Sequence, residues 1–266
     1  MSEQLILKCE DSITGILTAL FDAFVYKNNM QEPYEDSIFI AIGDYGNIML
    51  FSKEIEVRTD EQKAAKTVYA IQSKLGFSVY QTVFYALCHY DPERATTVLG
   101  YLVRAFSKGS RIREYLADPY VIRVMELSRK VGNECQKLLG FTRFQDTGRF
   151  LLAEIEPKCD ALPAMQEHFM DRFPNENFII FDKKRKYALV HPAYKSCFFV
   201  SGIETEEKEA AFSEAFGEEG AVMAKDIYEE MWRAYFSTMA IDERFNEKCQ
   251  NTLLPRWYRK HMLEFS

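Results

Sequence analysis

Four short strings of this 266-residue chain combine cations with aromatic rings or titratable groups. The first is Gly140-Phe141-Thr142-Arg143-Phe144, read as a helix end running into a strand, with Arg149 opening the strand after it. In a strand Phe141 and Arg143 share one face, and an Arg beside a Phe can contact phosphate or stack on a base. The second is His168-Phe169-Met170-Asp171-Arg172-Phe173. Helical spacing puts His168 with Arg172 on one face and Phe169 with Phe173 on the adjacent one. An imidazole ordinarily titrates near neutrality, so His168 is a candidate acid or base, against a capping or core-edge role. The third is Asp182-Lys183-Lys184-Arg185-Lys186, four consecutive cations on an expected hairpin turn. A solvated turn and a phosphate-contacting loop both fit it, and Asp182 is the other candidate for chemistry. The fourth is Pro255-Arg256-Trp257-Tyr258-Arg259-Lys260. Its rings offer stacking faces and its cations offer hydrogen bonds to phosphate, unless it is a docking helix that buries Trp257. The nucleic-acid set read from these strings is Arg143, Arg149, Arg172, Lys184, Arg185, Lys186, Arg256, Trp257, Arg259 and Lys260.

No known catalytic spacing accompanies them. The chain has no Gly-x-x-x-x-Gly-Lys-Ser/Thr loop, no Gly-x-Gly-x-x-Gly, no His-Glu-x-x-His and no His-x-Glu with Pro-Cys-x-x-Cys. No cofactor and no metal site is therefore expected. None of the six cysteines is spaced as a zinc or iron–sulfur ligand, so they read as buried free thiols of a reducing cytoplasm. Asp118-Pro119-Tyr120 and His191-Pro192 echo fragments of uracil-DNA glycosylases. Asp118-Pro119 here reads as a helix start, which is the wrong context for a water-activating loop.

The elements that must position these strings follow from periodicity. Strands are expected over 4–9, 38–42 and 48–57, with a helix from Ile13, a polar loop over 28–37 and a turn over 43–47. From 59 to 140 the pattern is helical: one helix to Leu75 stopped by Gly76, and one over 78–89. A third opens at Asp91-Pro92 and ends at Gly109. A helical stretch over 110–116 follows, and then a helix from Asp118-Pro119 stopped by Gly140. After that, strands are expected over 141–144, 149–156, 178–181, 187–190 and 197–200. Helices are expected over 160–173, 204–216, 225–236 and 254–265. This is an α+β chain: a helical middle layer, a small antiparallel sheet and a helical C-terminal segment. The segments are 1–58 (strand–helix–strand), 59–140 (helical) and 141–266 (sheet with flanking helices), or one continuous domain holding all three.

Charge is unevenly spread. The formal net charge is −7, which argues against coating of nucleic acid by bulk positive charge. Residues 1–62 carry 4 basic and 12 acidic side chains, and 204–230 carry 2 and 10, whereas 101–150 carry 10 and 5. Screening confines such fields to about 10 Å at 0.1 M salt, so a local basic–aromatic groove remains compatible with an acidic total. No run of 18 apolar residues exists and the N-terminus lacks a basic-then-apolar pattern, so no membrane span and no secretory signal is expected.

Strings spread through the chain resemble a bacterial family grouped under DNA metabolism or DNA repair and otherwise of unknown function. They are Gly15-Ile16-Leu17-Thr18-Ala19-Leu20-Phe21, Val57-Arg58-Thr59-Asp60 with Lys63-Ala64, Gly140 to Phe144, Ala153-Glu154-Ile155-Glu156-Pro157, His168-Phe169 with Arg172-Phe173, and Pro255-Arg256-Trp257. The family's opening carries Tyr and Gly where this chain has Cys9-Glu10-Asp11-Ser12. Members are typically encoded beside a radical-SAM protein, and some are fused to a uracil-DNA-glycosylase-like domain. The resemblance implies a role in DNA repair or modification with a radical-SAM partner. The basic–aromatic strings make the expected form of that role a DNA-binding accessory factor, cytoplasmic as the cysteines suggest. An enzyme acting on DNA by base excision or as a nuclease, and an interaction scaffold without nucleic-acid contact, are the alternatives. The chain lacks a three-cysteine cluster motif, so it is not expected to be the radical enzyme itself.

Overall fold

A computed structural model describes residues 4–29, 37–43, 52–203, 227–239 and 246–265. The class is α+β, and the chain divides into two compact units, Met1–Asn133 and Glu134–Ser266.

The first unit is built on three strands, β1 (Gln4–Cys9), β2 (Ile38–Ile42) and β3 (Ser52–Glu56), all parallel in the order β2-β1-β3. Helix α1 (Ile13–Asn29) follows β1. Then come α2 (Glu61–Leu75), α3 (Phe77–Leu87), α4 (Arg94–Lys108) and a 3-10 turn over Ser110–Glu114. Strand residues Leu7 and Ile40 share one core with Ile16, Ile71, Leu99 and Leu127 from the helices. Asp60 caps α2, its Oδ1 accepting from the Gln62 and Lys63 N–H groups at 2.8 and 3.1 Å. Gly76 and Gly109 end α2 and α4 at φ of +89° and +80°, where a side chain would be strained. Thr96 of α4 reaches β2: the Ile40 N–H donates to Thr96 Oγ1 at 2.9 Å, and Thr96 Oγ1 donates to the Ile40 carbonyl at 3.1 Å.

The second unit takes the last turns of α5 (Pro119–Phe141), then β4 (Gln145–Asp146), β5 (Leu151–Ile155), α6 (Leu162–Arg172), β6 (Phe178–Asp182), β7 (Tyr187–His191) and β8 (Phe198–Ser201). The sheet order is β4-β5-β6-β7-β8. Helix α7 (Ile227–Met239), α8 (Glu247–Leu253) and 3-10 turns over Arg256–His261 and Leu263–Phe265 complete it. Strand β6 is central and buried along its whole length. One face of the sheet holds Leu152, Ile179, Phe181, Ala188 and Val190. On the other, Phe144 meets Phe169, Phe173 and Phe178 edge-on at 5.2–6.0 Å.

Five local expectations are corrected. The sheet is mixed, because β5 and β6 run parallel through the α6 crossover. Residues 141–144 are not a strand: α5 runs through Gly140 to Phe141, and Thr142 still donates to the Leu138 carbonyl at 2.8 Å. Pro92 is not the first residue of α4; Asp91 Oδ1 accepts from the Glu93 N–H at 2.9 Å in a turn, and the helix starts at Arg94. The second helix begins at Phe77, beside Gly76, and ends at Leu87. The end of the chain is not one helix over 254–265 but α8 followed by 3-10 turns, since Pro255 supplies no N–H to continue α8. The loop over 30–36, the turn over 44–47, the start of the strand over 48–51 and the acidic residues 204–226 lie outside the described residues. Among the described residues no helix is long and apolar enough to cross a membrane.

Candidate functional site

Because β5 and β6 are parallel, their carboxyl ends lie side by side, with Ile155 paired to Asp182. That end of a parallel pair is where open sheets bind ligands, since the chain leaves both strands there and loops are free to diverge. The C-terminal segment returns to it. Trp257 Nε1 donates to the Glu156 carbonyl at 2.8 Å, and Lys260 Nζ donates to Glu156 Oε2 at 2.9 Å. Lys260 Nζ also stands 4.6 Å from the centroid of the Trp257 ring. Lys183 Nζ lies 3.2 Å from Glu154 Oε2.

His261 sits between the two carboxylates. Its Nδ1 is 4.0 Å from Glu154 Oε2 and its Nε2 is 3.4 Å from Glu156 Oε1. Burial holds the imidazole pKa below its ordinary value, with Glu156 and Glu154 pulling the other way. The Lys260 hydrogen bond holds the Glu156 carboxyl below its ordinary range. Beside this cluster is a cavity of about 150 Å3, with Arg143, Glu154, Lys260 and His261 in its wall. Arg143 is anchored: Nε and Nη2 donate to Glu264 Oε1 at 3.2 and 2.9 Å, and Nη1 donates to the Gly140 carbonyl at 3.0 Å. Three strings named above therefore meet here, from 140–144, 153–157 and 255–257. A neutral imidazole facing a small cavity of mixed polar and apolar wall can accept a proton, and the neighbouring cations can hold an anion. Among the described residues no group of three His, Cys, Asp or Glu side chains is placed to hold a metal ion.

Among the described residues five Lys or Arg ion pairs of this unit share one polarity, the cation being the more exposed partner, whereas His261 is slightly less exposed than Glu154 and Glu156. Lys260 is 52% exposed against 24% for Glu156, and Arg143 29% against 5% for Glu264. The same order holds for Lys183 with Glu154, Arg185 with Asp182 and Arg256 with Glu247. Lys158, Lys184 and Lys186 are exposed beside them, and the Trp257 ring is 42% exposed.

The sequence candidates fare differently. Asp182 is fully buried: Oδ1 accepts from the Lys184 and Arg185 N–H groups at 2.9 and 3.2 Å, and Oδ2 from Arg185 Nη1 at 2.9 Å. Burial pushes its carboxyl pKa up and Arg185 only partly offsets that. Arg185 also donates Nη2 to the Lys158 carbonyl at 2.7 Å, so it staples the 157–160 loop to the hairpin turn. Arg259 is engaged within its own segment, with the Leu254 carbonyl and Asn251 Oδ1. His168 and Arg172 share the exposed face of α6, while Phe169 is buried. Arg172 ends α6 just before β6, and Arg149 precedes β5, so both belong to the opposite end of the parallel pair. Arg143, Lys184, Lys186, Arg256, Trp257 and Lys260 are thus brought to one end, and Arg149, His168 and Arg172 are not.

Glu154, Glu156 and His261 escaped the sequence reading as chemistry, although both carboxylates stood in a family string. Tyr194, a backbone outlier with no place in this site, lies at the opposite end of the parallel pair beside Pro174. It is 80% exposed at a φ of +62°, held by its N–H donating to the Pro174 carbonyl at 2.9 Å. A bulky side chain in that region costs about 1–2 kcal/mol, and Pro192-Ala193-Tyr194-Lys195 was the available signal.

A family model described as a domain of unknown function, DUF4130, matches residues 92–264. No curated protein matches the chain.

Proposed function

The chain belongs to the DUF4130 family, and we propose that it is a DNA-binding accessory factor of DNA metabolism or repair. The observation that supports this best is that in five Lys or Arg ion pairs among the described residues of the second unit the cation is the more exposed partner, with Lys260 standing over the exposed ring of Trp257. Glu154, Glu156, Asp182 and Glu264 are less exposed than the cations they orient, and phosphates approaching from solvent meet Lys260 and the exposed Lys184, Lys186 and Arg256 first. The Trp257 ring offers a face on which a base can stack, worth about 1–3 kcal/mol per base. The resemblance described above adds a cytoplasmic radical-SAM enzyme as the partner to which DNA is presented. None of the six cysteines is in a disulfide, which suits a reducing compartment.

Fluorescence anisotropy with a labelled single-stranded oligonucleotide tests the DNA contact. Affinity is expected to fall roughly tenfold or more between about 50 and 200 mM salt, because phosphate contacts release counterions. Absent or salt-independent binding would overturn the proposal. Co-purification with the radical-SAM protein after nuclease treatment tests the partner, and its absence removes that part alone.

A second reading, an enzyme acting on DNA, is favoured by His261 between Glu154 and Glu156 at the wall of the cavity. It requires turnover of damaged or uracil-containing oligonucleotides that His261→Gln abolishes. A purified chain inert across lesion, metal and pH screens eliminates it.

A further inference from the structure

A groove of about 710 Å3 opens in the first unit among α1, α2 and α4. Its floor is apolar: Phe21 and Phe24 from α1, and Leu102, Val103 and Phe106 from α4. Phe24 and Phe106 meet edge-to-face at 5.4 Å. Around this floor stand three lysines, Lys27 on α1 and Lys66 and Lys74 on α2, and among the described residues no carboxylate lines it. Lys74 Nζ lies 5.9 Å from the centroid of the Phe106 ring. Among the described residues none of the three lysines makes an ion pair, although this part of the sequence is rich in acids. The contrast is Lys63, one turn before Lys66, whose Nζ is 2.8 Å from Asp22 Oδ1. Lys27 and Lys74 fall in the last turns of their helices, where they answer the negative helix ends. Lys66 stands mid-helix, where that explanation fails.

The volume falls within the range of about 300–1,000 Å3 in which small-molecule sites occur. An apolar, aromatic floor under three cations that make no ion pair among the described residues asks for a ligand that is apolar in its body and negative at one end. We propose that this groove binds a small single-chain amphiphile with a carboxylate or phosphate head. The apolar body covers Phe24, Leu102 and Phe106, and the head meets Lys66 or Lys74, which stand about 12 Å apart along α2. This site is independent of the DNA contact proposed for the second unit.

Isothermal titration of the full chain with dodecanoate, dodecyl phosphate and dodecyltrimethylammonium, each below its micelle concentration, provides the test. Both anions are expected to bind, one per chain, roughly tenfold or more tighter than the cation of equal chain length. The anion that binds more tightly identifies the head group. Lys66→Glu with Lys74→Glu, both on the exposed helix surface, is expected to weaken the anions roughly tenfold and leave the cation no weaker. Ala70→Trp, which fills the groove from α2, is expected to abolish binding of all three with an unchanged circular dichroism spectrum. Equal affinity for anion and cation, anion binding that survives the double Lys variant, or no heat with either anion would each overturn the proposal.

Discussion

Trp257 Nε1 donates to the main-chain carbonyl of Glu156, 101 residues earlier, at 2.8 Å. The bond pins the C-terminal 3-10 turn to the end of β5 while a large part of the indole stays open to solvent. One side chain thus serves the fold through its nitrogen and is free to serve a ligand through its ring.

Those two roles separate by substitution. Trp257→Phe removes the donor and keeps an aromatic face. It should lower stability by about 1 kcal/mol in urea unfolding and leave most of the DNA affinity. Trp257→Ala should cost in addition about 1–3 kcal/mol of single-strand affinity. Equal losses of affinity in the two variants would show that the ring is not the contact.

Arg185 and Lys184 are neighbours in the same turn with opposite expected outcomes. Arg185→Ala strands the buried Asp182 carboxylate and frees the 157–160 loop, a loss of about 3 kcal/mol given that the guanidinium is partly exposed. Lys184→Ala should stay within about 0.5 kcal/mol of the parent in the same denaturation experiment and should reduce the salt dependence of DNA binding. A mild Arg185→Ala would refute the stapling role.

Acidification should weaken the fold from pH 6.5 downward. Burial holds the pKa values of His89 and His261 below 6.5, so the unfolded chain binds their protons first as pH falls. The geometry of His89 agrees: its Nδ1 accepts the Asp91 N–H at 3.0 Å, and its buried Nε2 has no hydrogen-bond partner among the described residues. The depressed carboxyls of Glu156 and Glu264 add their own loss only below 4.5. Urea midpoints should therefore be lower at about pH 5.5 than at about pH 7.5, with a smaller gap in His89→Asn and His261→Gln. Identical midpoints at the two pH values would contradict this.

Two glycines of similar appearance in the sequence should respond oppositely to alanine. A Cβ on Gly100 would overlap the Tyr120 ring, which is itself covered by the Arg104 guanidinium at 4.3 Å. Gly100→Ala should cost about 1–3 kcal/mol. A Cβ on Gly132 would meet only Tyr85 Cε1 at 3.9 Å, so Gly132→Ala should stabilise by up to about 1 kcal/mol. Calorimetric melting of the pair reads both signs.

Local signals were legible where one residue decides them. Asp60, Gly76, Gly109 and Asp118-Pro119 punctuate the helices as their chemistry requires, and Asp118 caps α5 through the Tyr120 N–H at 3.0 Å. Phe141-Thr142-Arg143-Phe144 misled because alternating aromatics imitate a strand. There the Leu138 carbonyl still captures Thr142, and the rings serve separate contacts, Phe141 with Tyr258 and Phe144 with Phe169. Strand direction was invisible, since period two is the same in parallel and antiparallel pairs, and only the crossover through α6 fixes it. The His261 cluster was illegible for a related reason. Glu156 finds Lys260 across 104 residues, and no local spacing records such a meeting.

The bond in both directions between Thr96 and Ile40 has a consequence for self-association. Strand β2 is an outer strand of its sheet, and such strands usually offer unfilled main-chain groups to any passing strand. Here the Ile40 N–H and carbonyl are already taken by one hydroxyl. A second chain attempting to extend the sheet at that point must first displace Thr96, so the sheet is closed to templated growth at the centre of β2.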